Sequence, residues 1–164
     1  MWSSDRRSFL ALSAFAASSA CGFTPVYGPG GSAEGLRGRI LVAPPRDQFG
    51  FDLVEQLEIR LGEPSAADFR LEAEIAVTDE RLGITEGEEA TRITLLGRVR
   101  YSLRATGTGA VVTSGEVQNF TSYSTTDTPF ATQAAQEDAN KRLMVILADE
   151  IVSRLLITSE SWLT

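Results

Sequence analysis

Hydrophobic positions change their spacing several times along the chain, and each change marks an element. Ile40-Leu41-Val42 is a short continuous apolar run halted by Pro44-Pro45, the pattern of a strand. The period then becomes helical: Leu53, Val54, Leu57 and Leu61 fall on one face, Asp47 or Asp52 can serve near the N-terminus, and Gly62 followed by Pro64 stops the helix. From Phe69 the period is two, with Phe69, Leu71, Ala73, Ile75 and Val77 on one face and Arg70, Glu72, Glu74 and Thr78 on the other. A second alternation places Ile93, Leu95, Val99, Tyr101 and Leu103 inward, with Thr94, Arg98, Arg100, Ser102 and Arg104 outward. Gly107-Thr108-Gly109 reads as a hairpin turn into a third run, Val111 to Tyr123, rich in Val, Thr, Phe and Tyr. Its faces are mixed: Val117 and Tyr123 share one side, Val112 and Phe120 the other, and the inward side is left open.

Thr128-Pro129 predicts the start of a long helix, because the threonine oxygen can accept an orphan amide and proline loses no bond in the first turn. Leu143, Ile146, Leu147, Ile151 and Leu155 form its apolar stripe, extended upstream by Ala131, Ala135 and Ala139. The tail from residue 158 carries Trp162 and Leu163, and both a docked and a free tail are compatible with the pattern. The order β-α-β-β-β-α predicts an α+β two-layer sandwich: a four-stranded, mostly antiparallel mixed sheet with two helices on one face and the other face exposed.

The N-terminal pattern belongs to an address rather than to the fold. Arg6 and Arg7 precede the apolar run Phe9 to Ala17, which is too short to span a bilayer, and the small residues Ser18-Ser19-Ala20 precede Cys21, the single cysteine. Residues 1–20 are therefore expected to be a signal peptide and Cys21 a lipid-attachment site, because Ser18-Ser19-Ala20-Cys21 resembles the processing box of bacterial lipoproteins. The competing reading is an ordinary secreted chain with a free or buried thiol. Asp5-Arg6-Arg7-Ser8-Phe9-Leu10 also resembles a twin-arginine export signal, so either export route is open. Residues 21–38, rich in Pro and Gly, read as a lipidated N-terminus and flexible tether, residues 39–157 as one domain, and 158–164 as a tail.

Composition narrows the chemistry. Removing residues 1–20, with Asp5, Arg6 and Arg7, takes the count from 22 acidic and 15 basic residues to 21 and 13, a net charge of −8. An acidic domain without a polybasic block argues against nucleic acid and against general attraction to anionic membrane. There is no histidine, and Lys141 is the sole lysine, which removes most general bases and metal sites. No catalytic residue, metal site or cofactor is expected. Glu86, Glu88 and Glu89 could be named a cation site, but a solvated acidic loop explains them better.

Several stretches carry a family likeness. Cys21-Gly22-Phe23-Thr24-Pro25-Val26-Tyr27-Gly28 resembles the mature start of the alphaproteobacterial LPS-assembly lipoproteins, the LptE family. Leu82-Gly83-Ile84, Ala90-Thr91-Arg92, Thr121-Ser122-Tyr123, Phe130-Ala131-Thr132 and Asp138-Ala139 are similar to it in the same order. The resemblance implies a non-enzymatic outer-membrane lipoprotein, facing the periplasm, that assembles with the β-barrel LptD and plugs it during lipopolysaccharide transport and insertion. Gly22 rather than Asp after the cysteine agrees with outer-membrane sorting. The alternative function is a stand-alone envelope lipoprotein that binds a small or lipid ligand on its exposed sheet.

Given that likeness, Arg92, Arg98, Arg100 and Arg104 become candidate lipopolysaccharide contacts, since guanidinium groups pair bidentately with phosphate. The plainer account is cross-strand ion pairing with Glu72 and Glu74 on the neighbouring strand. Leu82, Ile84 and Tyr123 are candidate barrel contacts. The first two interrupt an otherwise acidic loop, and the tyrosine stands among the aromatic anchors Phe120, Tyr123 and Trp162, each of which could equally pack in the core.

Overall fold

The computed structural model describes residues 35–81, 92–125 and 128–163. Strand β1 (Ile40–Val42), helix α1 (Gln48–Leu61), strands β2 (Phe69–Arg81), β3 (Arg92–Ala105) and β4 (Val111–Ser124), and helix α2 (Pro129–Thr158) follow in the expected order. They build one sheet, β1-β2-β3-β4, in which β1 runs parallel to β2 and the later pairs are antiparallel. The α+β mixed-sheet reading holds.

Local chemistry sets the element ends. The Asp47 carboxylate accepts the Gly50 amide at 2.7 Å to cap α1, and Gly62, at φ 76°, returns its amide to the Glu58 carbonyl. Ala43 donates the last β1–β2 bond, to the Leu71 carbonyl; Pro44 and Pro45 have no amide to continue the ladder. Thr128 occupies the position before α2 in extended backbone with Pro129 behind it, as expected, but its side chain makes no capping bond. The helix relies instead on backbone bonding, beginning with the Thr132 amide on the Thr128 carbonyl.

Both helices cover the same face. Leu53, Leu57 and Leu61 of α1 and Leu143, Leu147, Ile151 and Leu155 of α2 are buried with Leu71, Leu95, Val99 and Leu103 of the sheet. Gly97 lies on that inner face, where a Cβ would stand 2.8 Å from Leu147 Cδ1 and 2.9 Å from Leu143 Cδ2. Its missing side chain is what lets α2 sit down on β3.

Two segments join the domain that the sequence assigns to its margins. Leu36, expected in the tether, is buried in the core. The tail docks: Trp162 packs edge-on against Phe69, with ring centroids 5.1 Å apart, and Ser159 is buried. The open question about β4 is resolved by pairing. Val117, Thr121 and Tyr123 face the helices, while Phe120 faces out at 65 % exposure. Val112 does not share the outer side with Phe120, because a register shift between Leu103 and Arg104 makes it an extra residue packed partly against the core.

Candidate functional site

The face of the sheet opposite the helices carries the arginines. In cross-strand register it reads Arg70, Arg104; Glu72, Ser102, Ser114; Glu74, Arg100, Glu116; Ala76, Arg98, Gln118; Thr78, Leu96, Phe120. The alternation of β3 makes this placement automatic, since residues two apart project from the same side. Arg92 continues the row at the far end, where its Nε donates to Ser122 Oγ at 3.1 Å.

Each arginine already has a partner. Glu116 is shared: its Oε2 accepts from Arg100 Nε at 2.8 Å, and its Oε1 lies 3.4 Å from Arg98 Nε. Arg98 also donates to Gln118 Oε1 at 3.3 Å. Glu72 is shared in the same way, with Arg104 Nε at 3.2 Å and Arg70 Nε at 3.8 Å. The expected cross-strand pairing is therefore half right. Glu72 does pair across to β3, but Arg100 turns away from Glu74, its registered neighbour, toward Glu116 on β4.

These pairs stand in water. The arginine side chains keep between 42 and 67 % of their exposure, and pairs so placed contribute about 0–1 kcal/mol each. An arriving phosphate can therefore replace a carboxylate at little cost and gain bidentate geometry. Counting Arg70, Arg92, Arg98, Arg100 and Arg104 against Glu72, Glu74, Glu80 and Glu116, this face is close to neutral on a chain whose overall charge is −7. The acidity sits elsewhere, so repulsion of an anion is weakest here.

Sequence reading missed Arg70 as a member of this group, although its alternation with Glu72 and Glu74 was the available signal. It also missed Glu116, Gln118 and Ser122, because their proximity depends on the β3–β4 register. Of the candidate barrel contacts, Leu82 and Ile84 lie outside the described residues, as do Cys21 and the glutamates at 86, 88 and 89. Tyr123 is corrected: it is 7 % exposed on the helix-facing side of β4, a core residue rather than a presented anchor. Trp162 is likewise in the core, which leaves Phe120 as the aromatic of that set on the surface, joined by Phe130 at the start of α2.

Strand register brings the chain segments at one end of the sheet together. Arg81 pairs with Ile93, Arg92 pairs with Ser124, and α2 begins shortly after. Arg81 and Arg92, the described residues on either side of the sequence holding Leu82 and Ile84, thus lie at the same end of the sheet as Ser124.

Beneath the site, Tyr101 packs on the inner face of β3 over Gly115, where a Cβ would meet the phenol oxygen at 2.7 Å. Burial raises the phenol's pKa above its ordinary value, with the Arg154 charge pulling the other way. Among the described residues no group of histidine, cysteine, aspartate and glutamate could hold a metal ion, and no helix is long and apolar enough to cross a membrane.

The family model LptE, described as lipopolysaccharide-assembly, matches residues 38–155, which takes in the sheet and nearly all of both helices. A candidate lipoprotein from Caulobacter crescentus CB15 has a similar structure, with a TM-score of 0.64 and 29% identity over 83% of this chain and 98% of that one. A minor lipoprotein from Acinetobacter baumannii gives a TM-score of 0.59 at 17% identity, covering 74% and 92% of the two chains. The rare lipoprotein B from Shewanella oneidensis gives 0.56 at 15% identity, covering 74% and 95%. At those last identities the likeness is one of fold. No curated protein matches the chain in sequence.

Proposed function

The chain belongs to the LptE lipopolysaccharide-assembly family, and from that membership we propose that it is an outer-membrane lipoprotein, anchored through Cys21, that assembles with and plugs the LptD β-barrel. It acts by binding, without catalysis. The observation that carries this reading is the family match over residues 38–155, the sheet and nearly all of both helices. The arginine face supplies a physical role within it: five guanidinium groups, four paired with exposed and exchangeable carboxylates and Arg92 with the Ser122 hydroxyl, suit the phosphates of lipid A.

The end of the sheet formed by Arg81, Arg92 and Ser124 is the proposed barrel-facing end, with Leu82 and Ile84 as proposed contacts and Phe120 and Phe130 exposed nearby in the chain. The lipid anchor keeps the domain at the membrane, because each buried methylene contributes roughly 0.8 kcal/mol and two or more acyl chains make the attachment stable.

Affinity purification of the tagged chain from detergent extracts of its native membranes tests the proposal. A stoichiometric complex with a large β-barrel is expected, and deletion within 82–91 should weaken it at equal expression. A chain recovered alone, fully folded and lipidated, would leave the stand-alone binding module as the better account. Mass spectrometry of the mature terminus tests Cys21 directly, with an acylated N-terminal cysteine expected.

A further inference from the structure

The two edges of the sheet are finished differently. On β4 the outward Phe120 amide donates to Asn119 Oδ1 at 2.9 Å, and the Ser122 carbonyl accepts from Arg142 at 3.5 Å. Side chains thus occupy backbone groups that a further strand would need, a common way to blunt an edge.

The β2 edge has no such cover among the described residues. β1 pairs with Phe69 to Leu71 only, and the prolines end the ladder. The Phe69 amide and the Leu71 carbonyl face β1, so by the two-residue repeat Ala73, Ile75, Val77 and Asp79 turn their amides and carbonyls to the same open side. Beside this edge runs a groove of 870 Å³, whose walls include Pro45, Leu53, Val54, Ala73 and Ile75. Its helix side is apolar. Its outer side takes in Glu72, Glu74, Arg70, Arg100 and Arg104, but the charged side chains that β2 itself projects outward beside the open stretch are Glu74 and Glu80, and neither has a cationic partner among the described residues.

We propose that the β2 edge from Ala73 to Asp79 takes an added strand from a polypeptide partner: an extended segment with apolar residues at alternate positions and basic residues between them. Its apolar side chains continue the layer begun by Ile40 and Val42 and pack toward Val54 and Ile75. Its basic side chains lie beside Glu74 and Glu80. A row of alternating amide donors and carbonyl acceptors is matched by another backbone, whereas an acyl chain would leave every one of them unpaired. The inference goes beyond lipopolysaccharide binding: it uses the backbone edge of β2, with Glu74 and Glu80 drawn from the margin of the arginine face.

The test uses the isotope-labelled mature chain and the end-blocked peptide Lys-Val-Thr-Val-Thr-Val-Lys, whose lysines have the spacing of Glu74 and Glu80. Added peptide should slow hydrogen exchange at the amides of Ala73, Ile75 and Val77. The double variant Glu74→Lys, Glu80→Lys should bind this peptide about tenfold more weakly and recover binding when glutamates replace the peptide lysines; both positions are exposed, so an unchanged amide spectrum confirms the fold. Methylating the valine amides blocks an antiparallel added strand, and methylating the lysine and threonine amides blocks a parallel one. Binding that survives both methylations overturns the proposal, as does unchanged exchange at a saturating peptide concentration. Protection of Ala73, Ile75 and Val77 before any peptide is added also overturns it, since another part of this chain would then hold the edge.

Discussion

Replacing Gly97 with alanine tests the packing of α2 on the sheet with a single carbon. The new Cβ would stand 2.8 Å from Leu147 Cδ1, and 2.9 and 3.1 Å from Leu143 Cδ2 and Cγ. Contacts below 3.0 Å require something to move, and both leucines are fully buried, so neither can swing into solvent. Overpacking of this kind costs about 1–3 kcal/mol. Gly97 has no positive φ, so alanine brings no backbone strain and recovers roughly 0.5–1 kcal/mol of strand stability. The expected net loss is about 1–2 kcal/mol, or roughly 3–8 °C in Tm for a domain of this size, read by urea and thermal denaturation of the mature chain. Leu147→Ala alone should cost about 2–5 kcal/mol by leaving a cavity. Combined with Gly97→Ala it should cost less than the sum, because the added methyl enters the vacated space. A Gly97→Ala protein as stable as the parent, or strict additivity in the double variant, would refute the close approach of α2 to β3.

Three further outcomes follow from the same packing. Glu116→Gln removes the carboxylate shared by Arg98 and Arg100; it should cost less than about 1 kcal/mol in stability and raise affinity for lipid A in a vesicle-binding assay, whereas Arg98→Gln with Arg100→Gln should lower it. Trp162→Ala should destabilise by about 3 kcal/mol, measured by chemical denaturation, because the tail loses its contact with Phe69. Tyr101 has its folded pKa raised above the ordinary 10.0, by burial first and against the pull of Arg154. The unfolded chain therefore releases its phenol proton at lower pH than the folded one, and the Tyr101 contribution to stability is full below pH 10.0 and lost as pH rises through the folded pKa. Tyr101→Phe should flatten that alkaline fall in a series of denaturation curves.

The elements were legible because each one announces itself within a few residues. Asp47, Gly62 and the Pro44-Pro45 stop act through bonds to their own neighbourhood, so α1 and the end of β1 appear where expected. The arginines of β3 were assigned to the outer face by alternation alone. What escaped was whatever depended on a distant partner. Tyr123 is chemically suited both to a surface anchor and to the core, and only the burial of β4 against α2 decides between them. Arg70 gains its membership of the site from sharing Glu72 with Arg104, thirty-odd positions along the chain. Trp162 and Leu36 flank the predicted domain boundaries, yet each finds a place in the core.

By itself the sequence determined the type, order and amphipathic faces of the elements, since backbone geometry repeats every two or 3.6 residues and side-chain identity records which phase is apolar. It also determined the absence of histidine chemistry and the terminus that resembles a lipoprotein's. Tertiary structure decided which carboxylate holds which arginine, that Val112 slips out of register, and that β2 keeps an open edge where β4 is closed by Asn119 and Arg142. Those facts arise between residues brought together by strand pairing and helix docking, and a period within one segment carries no information about the register of the next.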